Sequence, residues 1–138
     1  GASLEMVGEI ARIADYGADV ARIMLRKEDW TFPAGLVEPI AAMGDGAVSM
    51  FADAMTAYGR GGDEAMARAV AARDDEVDAR QGAAVEAIME LIRGNPDAAA
   101  PGVALSWVAH NYERVADRAT NIAERVVYIA TGETPDLN

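Results

Sequence analysis

The sequence contains no cysteine, which excludes disulfide bridges and thiolate metal sites. Its one histidine, His110, has no serine, cysteine or second histidine arranged around it, as nucleophilic or acid–base catalysis would require. A Gly-x-x-x-x-Gly-Lys loop is also missing, which disfavours nucleotide hydrolysis. Together these absences mean that no motif of the sequence indicates an active site.

Long apolar runs and aromatic residues are scarce as well. No stretch approaches the roughly 18 uncharged apolar residues of a membrane-spanning helix, so we expect no membrane insertion. Aromatic residues make up only 6% of the chain, and runs of β-branched residues are few, which disfavours a β-sheet. The lack of cysteine is compatible with a reducing cytoplasm, where we expect the protein to be located.

Basic residues are few, with 12 lysines and arginines against 23 acids and a formal net charge of −11. This charge disfavours direct binding to nucleic acid and to anionic membrane surfaces. Lys27 is the only lysine. An acidic surface with arginine cations suits a high-salt cytoplasm, and a GC-rich genome gives the same bias. Both interpretations remain open.

What the chain does contain is alanine and helical spacing. A length of 138 residues suits one compact domain, and 51% of the residues are apolar. Apolar positions recur in steps of three and four, which predicts four helices over residues 3–27, 35–58, 63–93 and about 97–131. Pro33 and the glycine-containing segments 59–62 and 94–96 separate them. We therefore predict an all-α fold, an up-and-down antiparallel bundle of four long helices.

The fourth predicted helix has three faces. A heptad seam indicates packing along one stripe, and it consists of Val108, Tyr112, Val115, Ala119, Ile122, Val126 and Ile129. The opposite side carries a line of polar side chains, namely His110, Glu113, Asp117, Asn121 and Glu124. Between the two faces runs a basic stripe of Arg114, Arg118 and Arg125. The polar line is the feature that a functional account has to explain.

Two pairs of acids share one spacing. Asp74 and Asp78 are four residues apart on the third predicted helix, and Glu113 and Asp117 repeat this spacing on the fourth. Like charges at this spacing repel, and a hard divalent cation with oxygen ligands would relieve the repulsion. No Glu-x-x-His motif is present, so a buried di-iron centre is not expected. The alternative is a solvated acidic face balanced by four arginines, Arg73, Arg80, Arg114 and Arg118.

The first and fourth predicted helices also resemble each other. Residues 12–15, Arg-Ile-Ala-Asp, align with residues 114–117, Arg-Val-Ala-Asp, at an offset of 102. Two interpretations are open: chance similarity between alanine-rich amphipathic helices, or duplication of a helical unit.

The segment 113–124, Glu-Arg-Val-Ala-Asp-Arg-Ala-Thr-Asn-Ile-Ala-Glu, followed by 127–133, closely resembles the final helix of the PhoU family. These phosphate-uptake regulators consist of two similar three-helix bundles. Residues 74–78 resemble the acidic motif on the middle helix of such a bundle, and 12–16 resemble the last helix of the first bundle.

The resemblance implies a domain division. Residues 1–27 would be the last helix of a first repeat, 28–34 a connector, 35–132 a PhoU-like three-helix bundle, and 133–138 a frayed tail. Because two helices of the first bundle have no counterpart, we expect the chain to correspond to a truncated form.

In the PhoU family, paired acid-x-x-x-Asp motifs bind metal clusters, commonly iron or zinc, on the bundle surface. The resemblance therefore implies metal ligation by Asp74, Asp78, Glu113 and Asp117, with Asn121 and Glu124 as weaker extensions. Ala11 stands where a counterpart of Glu113 is expected. A second site, in the first repeat, would retain only Asp15, alone or with Asp19.

The resemblance further implies a non-enzymatic regulator of phosphate uptake and phosphate-starvation signalling. Its partners would be components of the phosphate ABC transporter, a sensor kinase, or both. One alternative is a metal-sensing or metal-storage bundle that binds iron, zinc or another divalent cation. Another is a structural adaptor or dimerisation segment of a larger regulator. A homodimer is expected, because the apolar faces of the first two helices lack partner helices.

Overall fold

A computed structural model describes residues 2–25 and 30–132 of the chain. The helices are α1 (Ala2–Leu25), α2 (Ala34–Gly59), α3 (Glu64–Ala71), α4 (Asp74–Gly94) and α5 (Ala99–Thr131), with a 3-10 turn at Pro96–Ala98. No strand occurs among the described residues, which confirms the all-α prediction. The predicted tail 133–138 and part of the predicted connector, residues 28 and 29, lie outside the described residues.

The helix α5 is the centre of the bundle. It packs against α1, α2, α3 and α4, and α2 also contacts α3 and α4. The core between these helices consists largely of alanine and medium-sized apolar side chains. Among the residues whose burial the structure describes, eight alanines have no exposed surface, namely Ala47, Ala54, Ala57, Ala67, Ala109, Ala116, Ala119 and Ala123. Such small side chains allow the helix axes to approach closely. None of the described helices is long and apolar enough to cross a membrane.

The helix ends follow the local sequence. Asp63 caps α3, because its Oδ1 accepts a hydrogen bond from the backbone N–H of Met66 at 3.1 Å. Gly132 ends α5 in the left-handed conformation, with a φ of 72°. Asn95 accepts from the N–H of Asp97 and so begins the 3-10 turn before α5. The ends of α3 and α5 therefore follow from local capping residues.

The third predicted helix is not continuous, because a turn at residues 72 and 73 divides it into α3 and α4. The Arg73 side chain extends from this turn to α2. Its Nη2 donates to the carbonyl oxygen of Gly46 at 3.3 Å, and its Nη1 lies 3.4 Å from Oδ2 of Asp53. The break therefore places Arg73 where its side chain can contact α2, and it makes Asp74 the first residue of α4.

The basic stripe of α5 is the surface on which α1 lies. Glu9 of α1 is buried, and its carboxylate lies 3.6 Å from Arg118 and 3.6 Å from Arg125. The Arg114 guanidinium lies over the ring of Tyr16, 5.4 Å from its centroid. The three arginines that the sequence places in one stripe thus bind α1 through one carboxylate and one aromatic ring.

Candidate functional site

The acidic residues of α4 and α5 meet because the two helices run antiparallel. Asp74 lies beside Asp117, and further along the pair Asp78 lies beside Glu113. The break before α4 places Asp74 in the first helical turn, together with Asp75 and Glu76. Acidic residues are favourable at this position, since the helix dipole is positive at the N-terminus.

The four principal residues predicted from the sequence form one cluster, which we call the acidic cluster. Asp74, Asp78 and Asp117 each present a carboxylate oxygen, and these oxygens all lie within 4.8 Å of one another. The Glu113 carboxyl lies close enough to those of Asp117 and Asp78 for both to raise its pKa. Asp74 is only 5% exposed, and its buried Oδ1 has no hydrogen-bond partner. A buried carboxylate oxygen without a donor is uncommon in native proteins and fits a position that a cation would complete.

Burial and the closeness of the other carboxylates raise the pKa values of two acids in the cluster. Burial, followed by repulsion from Asp117 and Asp78, raises the pKa of Asp74 to about 6. Burial, followed by hydrogen bonding to and repulsion from Asp117, raises the pKa of Glu113 to about 8. Both shifts have the direction expected when carboxylates share a site without a counterion.

The arginines that were expected to balance an acidic face have other partners. Arg73 contacts Asp53, and Arg80 lies 2.9 Å from Glu76. As described above, the guanidinium groups of Arg114 and Arg118 interact with α1. These contacts show that the four arginines pair with groups outside the acidic cluster.

The weaker predicted acids, Glu124, Asp15 and Asp19, are not among the three carboxylates that converge. Asn121 and Glu124 are half-buried on later turns of α5. Asp15 is exposed on α1. Asp19 pairs with Arg22 of the same helix. The structure therefore assembles one acidic cluster, on α4 and α5, from the predicted residues that it describes.

One polar residue at the end of the cluster was not predicted. Gln81, one turn after Asp78, places its Nε2 3.4 Å from Nδ1 of His110. Burial, and then the charge of Arg114, lowers the pKa of His110. Gln81 could have been predicted from the sequence, because Asp74, Asp78 and Gln81 are spaced by four and three residues and so share one face of a helix.

This arrangement brings several carboxylate oxygens together between α4 and α5, and Arg73, Arg80, Arg114 and Arg118 have other partners. Such a donor set suits a divalent cation with oxygen ligands. A bound cation would favour the ionised carboxylates and join α4 to α5.

A family model and the sequences of curated relatives all relate this chain to PhoU proteins. The family model described as "PhoU domain" matches residues 40–126. The chain is 26% identical over 133 residues to a phosphate-specific transport system accessory protein PhoU homolog of Rhizobium meliloti (strain 1021), covering 96% of the chain and 56% of that relative. It is 30% identical over 131 residues to the homolog of Streptococcus pneumoniae serotype 4, covering 94% and 59%.

Two crystal structures have the same fold. The phosphate transport system regulatory protein PhoU from Streptococcus pneumoniae superimposes with a TM-score of 0.86 at 27% identity, covering 98% of this chain and 63% of that one. PhoU from Pseudomonas aeruginosa gives a TM-score of 0.88 at 30% identity, covering 94% and 61%. The chain thus spans between half and two thirds of the length of these proteins.

Proposed function

Because the chain belongs to the PhoU family, we propose that it regulates phosphate uptake and phosphate-starvation signalling through contacts with other proteins. The observation that carries the proposal is the family match over residues 40–126. Its relatives are named as accessory and regulatory proteins of phosphate transport. The partners in this proposal are components of the phosphate ABC transporter, a sensor kinase, or both. The chain would act in the cytoplasm and without catalytic turnover.

A pull-down from phosphate-replete cells of the natural host tests this proposal. The tagged chain should recover a transporter or sensor-kinase component, and a helical protein of unrelated family serves as the control bait. Recovery of neither component would contradict the proposal. Purified chain should also release no phosphate from p-nitrophenyl phosphate above the rate in buffer. A rate that depends on the protein would contradict the non-enzymatic part.

A second candidate function, binding of iron, zinc or another divalent cation, is supported by the geometry of the acidic cluster. The favouring observation is the convergence of the oxygens of Asp74, Asp78 and Asp117 within 4.8 Å, beside the raised pKa of Glu113. These four residues would hold the cation. The cation would supply the positive charge that the carboxylates lack.

Elemental analysis of protein purified without chelators tests metal binding. Wild-type chain should contain a transition metal, and neutralising the cluster by Asp74→Asn, Asp78→Asn, Glu113→Gln and Asp117→Asn together should remove it. A matched control neutralises four exposed acids elsewhere, Glu38, Glu86, Glu90 and Asp97. Equal metal content in the two variants, or no metal in the wild type, would rule out this candidate.

A homodimer belongs to the same proposal, and the outer face of α1 supports it. The face directed away from α5 presents exposed apolar residues in alternating steps of three and four, which are Leu4, Val7, Ala11, Ala14, Ala18 and Ala21. This spacing is that of a coiled-coil seam, which a second copy of the helix could cover.

Sedimentation velocity over a range of concentrations tests the dimer. Val7→Glu, at a position 62% exposed on α1, should shift the chain to monomer. Val48→Glu, at a position 61% exposed on α2, is the matched control and should leave the association unchanged. A wild-type chain that is monomeric at all concentrations would contradict the dimer.

A further inference from the structure

A cleft of about 310 Å³ lies between the C-terminal half of α1 and the N-terminal half of α5. Its lining consists of Asp19, Arg22 and Ile23 from α1 and Trp107, Asn111 and Arg114 from α5. None of these residues belongs to the acidic cluster. The cleft is therefore a separate feature on another face of α5, and its volume is within the range of ligand-binding sites.

Arg114 gives this cleft a positive charge that α1 does not neutralise. Arg22 pairs with Asp19, and Arg118, one turn further along α5, lies 3.6 Å from the Glu9 carboxylate. Arg114 instead lies over the Tyr16 ring, and no carboxylate of the described part of the chain is within ion-pair distance of it. A guanidinium without an acidic partner can form charge-assisted hydrogen bonds with a carboxylate of another molecule.

Trp107 provides an apolar surface beside that charge. Its side chain is 52% exposed and makes an edge contact with the His110 ring at 5.8 Å. Val103, one turn earlier on α5, is also exposed, and Ile23 lines the cleft from α1. Tryptophan and arginine are the residue types most enriched at the dominant positions of protein interfaces. The composition of the cleft therefore favours a protein ligand.

Asn111 belongs to the wall of the cleft. It is buried, and its Nδ2 donates to the backbone carbonyl of Trp107 at 2.8 Å. The groups that the cleft offers to a ligand are therefore the guanidinium of Arg114 and the exposed ring of Trp107. A peptide can supply the complement of each: a carboxylate for Arg114 and an apolar side chain for Trp107.

We propose that this cleft binds a peptide segment of a partner protein that carries an aspartate or glutamate next to an apolar side chain. The proposal rests on the proposed regulatory function, because it specifies the chemistry by which such a partner is recognised. Charge complementarity favours a single acidic residue, because Arg22 pairs with Asp19 and Arg114 is left to bind one carboxylate. The net charge of −11 disfavours a polyanion such as a nucleic acid.

Panning a random 12-residue peptide library against the full chain provides the test. Enriched peptides should share an acid adjacent to an apolar residue. Synthetic copies are then titrated against Trp30→Phe protein, in which Trp107 is the only tryptophan, so a change in its fluorescence reports contact with the cleft directly. Circular dichroism verifies that every variant is helical.

The affinity of every variant is measured by the fluorescence anisotropy of a labelled peptide, and Trp107→Ala and Arg114→Gln should each weaken binding at least about tenfold. The matched controls are Tyr128→Ala, an aromatic residue 53% exposed on the same helix, and Arg68→Gln, an exposed arginine on α3. Both controls should bind within about twofold of the wild type.

Three results would overturn the proposal: no enriched peptide, peptides that bind all four variants equally, or a self-association that Arg114→Gln abolishes. The last would assign the cleft to a second copy of the chain. The assay contains no phosphate-transport component, so its failure would leave the regulatory proposal intact.

Discussion

At the residue scale, the acidic cluster makes the stability of the metal-free chain decrease as the pH rises. Asp74 and Glu113 have folded-state pKa values of about 6 and about 8, above the ordinary values of 3.8 and 4.5. The folded state therefore retains these protons more tightly than the unfolded state. Their contribution to stability is complete below about pH 4 and is lost progressively up to about pH 8. Urea unfolding across this range measures the slope.

Replacing Glu113 removes the residue with the larger of the two pKa shifts. Glu113→Gln should raise the free energy of unfolding above pH 8 by roughly 1–2 kcal/mol, because solvent screens part of the repulsion. It should also flatten the pH dependence. Glu86→Gln, at an exposed position on α4, is the control and should change stability by less than about 0.5 kcal/mol. A Glu113→Gln protein as sensitive to pH as the wild type would contradict the prediction.

Gly44 permits the close approach of α2 and α5. A Cβ at this position would lie 2.8 Å from Cζ of Tyr112, whereas a Cβ at Gly46 of the same helix would have nothing within 4 Å. Gly44→Ala should therefore destabilise the fold by about 1–3 kcal/mol, as overpacking does. Gly46→Ala should stabilise it by up to about 1 kcal/mol through helix propensity. Thermal unfolding of the pair distinguishes the two effects, and equal changes would contradict this account.

At the scale of elements, the attachment of α1 depends on a buried charge. The Glu9 side chain is only 5% exposed and faces Arg118 and Arg125 of α5. Glu9→Gln leaves two arginines opposite a neutral group, which is unfavourable at a buried position. Hydrogen exchange of residues 2–25 should accelerate about tenfold or more, equivalent to roughly 1.4 kcal/mol.

The control for α1 is Asp15→Asn, an exposed acid on the same helix. It should leave the exchange of α1 unchanged, and neither substitution should accelerate exchange in the centre of α5. Equal acceleration by the two substitutions would show that Glu9 does not hold α1.

Helical spacing was sufficient to predict most of the elements, because each amphipathic helix shows its buried face in its own sequence. The break at residues 72 and 73 could not be predicted in this way. Arg73 contacts Gly46 and Asp53, residues 27 and 20 positions away, and such contacts leave no local pattern.

The acidic cluster was more predictable than the basic stripe. The four acids share a spacing of four residues on two helices, and antiparallel packing then brings them together. The stripe of Arg114, Arg118 and Arg125 was recognised, but its role as the surface that binds α1 was not. Glu9 lies more than one hundred residues earlier and has the sequence context of an ordinary surface acid.

At the scale of the whole molecule, a cation in the acidic cluster would join two helices of the core and so stabilise the entire fold. A ligand present at about 100 times its dissociation constant contributes about 2.7 kcal/mol. For a chain of this size, zinc should therefore raise the Tm by roughly 5–10 °C. The variant with all four cluster acids neutralised should show no shift in differential scanning calorimetry. An equal rise in Tm for the wild type and the variant would show that zinc binds outside the acidic cluster.

At the buried alanines in the centre of the bundle, smaller residues should be tolerated better than larger ones as the sequence diverges. A core of large side chains tolerates enlargement poorly and loses much energy on truncation. Here truncation has little to remove, since each of the eight fully buried alanines contributes a single methyl group. Enlargement, in contrast, forces whole helices apart. Selection on these positions therefore acts on volume more than on hydrophobicity, and glycine or serine should replace alanine more readily than valine or leucine.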